Sequence, residues 1–214
     1  MTIDLRPQRV LALAPHPDDI ELGMGGTIAM LIERGCDVHI EVFSLAEASL
    51  PLGYSKCDIQ NECVCSLVSL GVSEQNIQFH DFPVRRFDEN RQDILEGLIR
   101  SGQNLNPDII FCPSLSDTHQ DHSVVANESV RAFRKKTVLG YELPWNTKNF
   151  DSSLTVSLTE QHIDAKESAL TKYKSQLGRP YFEPGLLKNH SRIRATVAGL
   201  EYAESFEMIR MVFK

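Results

Sequence analysis

Five consecutive apolar residues, Val10-Leu11-Ala12-Leu13-Ala14, run without polar interruption into Pro15-His16-Pro17-Asp18-Asp19. A strand wetted on one face alternates apolar with polar side chains, so an unbroken run reads as a strand buried on both faces, the environment of a parallel sheet covered by helices. Ile109-Ile110-Phe111-Cys112 repeats the pattern and precedes Asp117-Thr118-His119-Gln120-Asp121-His122. Sites in α/β proteins form beyond the carboxyl ends of such strands. Two His/Asp clusters in that position therefore point to one composite site.

The remaining chain alternates in the same way. Strands are predicted over 9–14, 38–44, 77–80, 109–112 and 137–142, and helices over 25–34, 57–70, 89–103, 123–134 and 160–176. This is an α/β pattern: a single-domain, Rossmann-like, mainly parallel sheet with helices on both faces, one domain over residues 1–214. The last forty or so residues look less regular, with a turn-rich loop at 178–185. Gly23, Gly25 and Gly26 do not make a dinucleotide loop, because His16, Asp18 and Asp19 occupy the turn where a pyrophosphate would sit and carboxylates repel it. Instead they suit a helix that starts close to the metal loop.

With 22 Lys and Arg against 29 Asp and Glu, the net charge is −7, which argues against a nucleic-acid partner. Met1 to Pro7 holds no apolar core of signal-peptide length, and no stretch of about 18 apolar residues occurs, so the chain reads as cytoplasmic and without stable membrane insertion. Cys36, Cys57, Cys63, Cys65 and Cys112 are odd in number and form no C-x-x-C framework, which fits free thiols in a reducing compartment. Nothing in the sequence fixes the oligomeric state, and a homo-oligomer stays open.

Ligand types set the chemistry. His16 and Asp19 can converge on one ion from a turn, and His122, at the start of a helix, is the natural third ligand. Two His and one carboxylate with an open position form a catalytic pattern for Zn2+, and a triad that also suits Fe2+. Asp18, beside a ligand but not needed as one, is then free to take a proton from water, and His119 to give one to a leaving group. Asp121 orients either His119 or His122; the sequence leaves both open. Taken alone, His16 to Asp19 also reads as an ordinary turn with a helix cap.

The run Pro15-His16-Pro17-Asp18-Asp19-Ile20-Glu21-Leu22-Gly23-Met24-Gly25-Gly26 resembles the opening motif of the LmbE-like (PIG-L) de-N-acetylases, the family that includes N-acetylglucosaminyl-phosphatidylinositol de-N-acetylase. His119-Gln120-Asp121-His122 is similar to its second motif, and weaker similarities follow in order at Tyr173-Lys174-Ser175-Gln176 and Glu201-Tyr202-Ala203-Glu204-Ser205-Phe206. The resemblance implies a zinc-dependent hydrolase that removes the N-acetyl group from an amino sugar, whether free, nucleotide-linked, lipid-linked or a glycoside. It implies His16, Asp19 and His122 as metal ligands, Asp18 as general base, and His119 with Asp121 as acid and orienting partner.

One position departs from the family. Where relatives often carry an Arg, three residues before Glu62, this chain has Ile59. Lys56, Arg85 and Arg86 are candidate replacements, Arg85 foremost, and Glu142 and Tyr181 are further substrate-contact candidates. Tyr173, Phe182 and Trp145 are aromatic groups that either stack on a sugar or belong to the core. Two competing functions are a non-catalytic metal- or sugar-binding protein on the same fold and a metallohydrolase of another bond, such as a phosphoester.

Overall fold

A computed structural model describes residues 8–212; the segment from Met1 to Pro7 lies outside the described residues. Seven strands form one sheet: β1 (Arg9–Ala14), β2 (Asp37–Val42), β3 (Ile77–Phe79), β4 (Ile109–Pro113), β5 (Thr137–Tyr141), β6 (Leu154–Leu158) and β7 (Tyr202–Arg210). Their spatial order is β3-β2-β1-β4-β5-β7-β6; the first five are parallel, and β7 pairs antiparallel with β5 and β6.

The uninterrupted apolar run of β1 is explained by its two neighbours. Val10, Ala12 and Ala14 pack into a core with α1 (Asp19–Glu33), α2 (Lys56–Ser69) and α5 (Glu160–Leu170). Leu11 and Leu13 pack into a second core, beneath α3 (Arg91–Leu105) and α4 (Gln120–Ala132). Order reverses between β1 and β4, since β1 is followed by β2 on one side while β4 lies on the other. Loops leaving these two strands therefore diverge to opposite faces and leave a crevice, the usual ligand position in open parallel sheets.

Three expectations need correction. The first helix begins at Asp19, not Gly25, and breaks at Met24 (φ −149°, ψ 22°). The glycines thus serve close packing inside the helix: a Cβ on Gly23 would lie 2.5 Å from the Tyr141 ring. Second, the helix expected to reach Gln176 ends at Leu170. Third, the C-terminal region is more regular than expected, containing α6 (Leu186–Thr196) and the antiparallel pair β6/β7. Strand β7 escaped detection because its interior face includes a charge. Glu204, 5% exposed, pairs with buried Lys166 at 2.7 Å and accepts from the amides of Gly26 (3.1 Å) and Thr27 (2.7 Å). The break at Met24 frees those amides from the helical ladder, and Glu204 caps the second half of α1.

Candidate metal and active site

Beyond β1 the chain turns sharply. The amide of His16 donates to Asp19 Oδ2 (2.8 Å), and Asp18 takes a left-handed backbone (φ 81°) as it caps α1. Aspartate tolerates that conformation better than most side chains, and here its side chain makes no cap hydrogen bond to the helix. Beyond β4, Asp117 Oδ1 accepts from the amide of His119 (2.8 Å), and His119 caps α4 by accepting from the amide of Asp121 through Nδ1 (3.2 Å). Both loops converge.

His16 Nδ1, Asp19 Oδ2 and His122 Nε2 form a nearly equilateral triangle with edges of 3.4, 3.3 and 3.3 Å. A tetrahedral ion with bonds of about 2.0–2.1 Å needs ligand atoms about 3.3–3.4 Å apart, so this donor set fits a divalent metal. Nitrogen atoms of His16, His119 and His122 also lie within 4.8 Å of one another. That looser group fits less well, and His119 has committed Nδ1 to its cap.

The other nitrogen of each ligand histidine meets a carboxylate. His16 Nε2 lies 3.0 Å from Asp121 Oδ2, and His122 Nδ1 lies 2.8 Å from Asp117 Oδ2. Such partners fix ring orientation and tautomer at metal sites. Asp121 thus orients neither His119 nor His122, because its carboxylate is turned toward His16 and the Arg85 amide (2.7 Å). Asp117, to which sequence reasoning gave no role, is the partner of His122; its position five residues earlier, at the strand end, was the only signal.

The electrostatics follow. Burial disfavours charge on His122, but Asp19 and Asp117 outweigh it and raise the pKa to about 10. Burial would raise Asp19, yet His122 and His16 pull it far below the carboxylate range. Asp18 is pushed well up by burial, then by Asp19 and Glu21, against a downward pull from Arg179. His119 is lowered by burial and by the neighbouring imidazoles, so Asp121 does not keep it charged.

Asp18 is held from beneath by Tyr173, which the sequence offered as a sugar-stacking or core aromatic, and by Glu21, to which it gave no role. The Asp18 amide donates to Tyr173 Oη (3.0 Å), which donates onward to Glu21 Oε1 (2.8 Å). Tyr173 is fully buried and cannot stack on a ligand. A cleft of ≈ 320 Å3 opens above the triad, at the lower end of small-molecule pockets, about 300–1,000 Å3. Asp18, His119, Ile59, Arg85, Arg179 and Tyr181 line it. Trp145 lies exposed at its rim, stacked on Tyr181 at 4.5 Å. Other candidates lie elsewhere: Arg86 pairs with Glu89, Lys56 with Asp81, and buried Glu142 with Arg194 and His190.

Comparison with known proteins agrees with this architecture. The PIG-L family model, GlcNAc-PI de-N-acetylase, matches residues 11–133. The uncharacterized deacetylase YaiS of Escherichia coli (strain K12) is 29% identical over 170 residues, 78% of this chain and 90% of that protein. Diacetylchitobiose deacetylase of Thermococcus kodakarensis is 27% identical over 60% of this chain and 38% of its own. Among solved structures, the conserved protein TT1542 from Thermus thermophilus superposes with a TM-score of 0.76 at 26% identity, covering 96% of each chain. Since the matched segment contains both loops that bear the triad, the chain belongs to the PIG-L (LmbE-like) family of metal-dependent de-N-acetylases.

Proposed function

We propose that residues 1–214 act as one zinc-dependent hydrolase that removes the acetyl group from an N-acetylated amino sugar. The triangle of His16, Asp19 and His122 at the floor of a monosaccharide-sized cleft carries this reading. When bound there, a zinc ion supplies Lewis acidity, polarising the acetamide carbonyl and lowering the pKa of water from about 15.7 toward about 7.

The chain's own residues supply the proton transfers. Asp18 takes the proton from the attacking water; its burial disfavours the charged carboxylate and so favours the protonated form it reaches in that step. As the C–N bond breaks, the amine must leave protonated, because an amide anion is too basic to depart. Asp18, now protonated, returns the proton to nitrogen. His119 differs from its sequence-based role: with Nδ1 accepting from the Asp121 amide, its neutral ring keeps a proton on Nε2. That N–H stabilises the developing oxyanion as a hydrogen-bond donor.

A cytoplasmic setting is consistent with five free cysteines and, among the described residues, no helix long and apolar enough to cross a membrane. A purely binding protein would require neither Asp18 nor His119 in the cleft. A two-metal phosphoesterase would require more ligands than this triad offers. The test is zinc-reconstituted protein assayed for acetate and for phosphate on N-acetylated and phosphorylated sugars. Acetate release that is lost on chelation and restored by zinc is expected. Phosphate release alone, or no turnover with one zinc bound per chain, overturns the reading.

A further inference from the structure

The cleft that holds the triad contains two guanidinium groups, Arg85 and Arg179, and neither forms an ion pair with a carboxylate among the described residues. The other two cations that the sequence offered for the site, Lys56 and Arg86, lie outside the cleft and are both paired. The carboxylates in the cleft lining are Asp18 and Asp19; Asp19 is a corner of the ligand triangle, whereas Asp18 lies outside it and within electrostatic reach of Arg179. Arg85 therefore has no carboxylate partner for its guanidinium among the described residues, and Arg179 has only the field of Asp18, with which it forms no ion pair.

Both are held in place by their surroundings. Arg85 has a left-handed backbone (φ 65°), a conformation costly for a side chain of this kind and one that persists only when neighbouring groups enforce it. Here they do so from both sides, as its amide donates to Asp121 Oδ2 (2.7 Å) and its carbonyl accepts from Gln120 Nε2 (2.6 Å). Its Nη2 donates to Ser49 Oγ (3.0 Å), a neutral partner. Arg179, on the 178–185 loop, donates to the hydroxyl of Tyr181, which is itself stacked on Trp145. The rest of the cleft lining combines apolar side chains, Ile59 and Leu50 among them, with the neutral polar Ser49, Asn146 and Gln176, and contributes no further cation besides the imidazoles.

We propose that Arg85 and Arg179 form an anion-recognition subsite, and that the preferred N-acetylated sugar carries a phosphate or carboxylate next to the acetamido-bearing ring. The identification of a sugar rests on the function proposed above. Planar guanidinium forks match both anions, and a local positive pair in an acidic protein draws an anionic ligand to the cleft.

The experiment compares zinc-loaded wild type with R85A, R179A and the double variant on N-acetylglucosamine 1-phosphate, N-acetylmuramic acid and the neutral methyl glycoside of N-acetylglucosamine. The ratio of kcat/KM for anionic over neutral substrate should fall roughly 10- to 100-fold in the double variant, as expected for lost charged hydrogen bonds. The phosphate and carboxylate arms show which anion is preferred. Equal losses on all three substrates would reassign Arg179 to the electrostatics of Asp18 and overturn the subsite. Calorimetric binding of glucosamine 1-phosphate against methyl glucosaminide supplies a readout without turnover. Arginine-dependent preference for the phosphate with no acetate released from any sugar would sustain the subsite while defeating the deacetylase reading. No preference in wild type would defeat the subsite alone.

Discussion

The hydroxyl of Tyr173 lies 3.0 Å from the amide nitrogen of Asp18, across 155 residues of sequence, and donates its own proton to a hydrogen bond with Glu21. It is the buried prop that holds Asp18 in a left-handed turn above the triad. Tyr173→Phe leaves the buried amide of Asp18 without a partner and takes one hydrogen bond from the buried Glu21 carboxylate, a cost of about 1–3 kcal/mol in stability. Turnover should fall on the order of tenfold with KM and zinc content little changed. Unchanged kcat, measured beside a thermal melt, would show that Asp18 needs no such support.

Asp18→Asn tests the proton shuttle itself. Zinc stoichiometry should persist, because Asp18 lies outside the ligand triangle, while kcat falls on the order of 10²–10⁴-fold. Loss of zinc by elemental analysis would instead make Asp18 a ligand.

For His119→Ala, a hydrogen-bond donor to an oxyanion is removed and not a titrating acid. A fall of about 10²–10³-fold in kcat is expected, with both limbs of the pH–rate profile in place. Disappearance of the alkaline limb would restore His119 as the general acid.

Zinc must compete with protons for His122. The raised pKa of about 10 means that chelator-treated protein holds this imidazole protonated at neutral pH, so loading releases a proton and apparent affinity climbs roughly tenfold per pH unit for each proton displaced. A raised imidazole pKa also stabilises the fold fully below the ordinary value of about 6.5, and that stabilisation is lost as pH rises through about 10. Titrations in buffers of different ionisation enthalpy should give different apparent heats; identical heats would refute proton release. Asp117→Asn should weaken zinc by about 10–100-fold.

The Lys166–Glu204 pair is a stability determinant away from the cleft. Lys166→Ala strands a buried carboxylate that also caps α1, and should cost about 3–5 kcal/mol in denaturant unfolding. A loss under about 1 kcal/mol would mean that the capped amides alone satisfy Glu204.

The centre of the parallel sheet was legible because β1 and β4 carry unbroken apolar runs that lead into polar clusters; β1 was read to the residue. Strand β7 was not, since Glu204 and Ser205 are buried by pairing and shape, and not by apolarity. Convergence of His16, Asp19 and His122 was foreseeable from strand-end position. The partners of those histidines were not, because Asp117 and Asp121 flank both rings and only the turn geometry allots them. Arg179 was missed for a similar reason: it is distant in sequence, on a loop whose path no periodicity encodes.

Asp121 joins two things that sequence keeps apart, the ring of His16 and the backbone of Arg85. An alteration of the loop around Arg85 therefore tugs on a metal ligand. The 178–185 loop touches the cleft through Arg179 and Tyr181 without bonding to any triad residue. Diversification of substrate range, by selection or by an engineer, should meet less resistance at 178–185 than at 82–87, where each change in taste risks the loss of the ion.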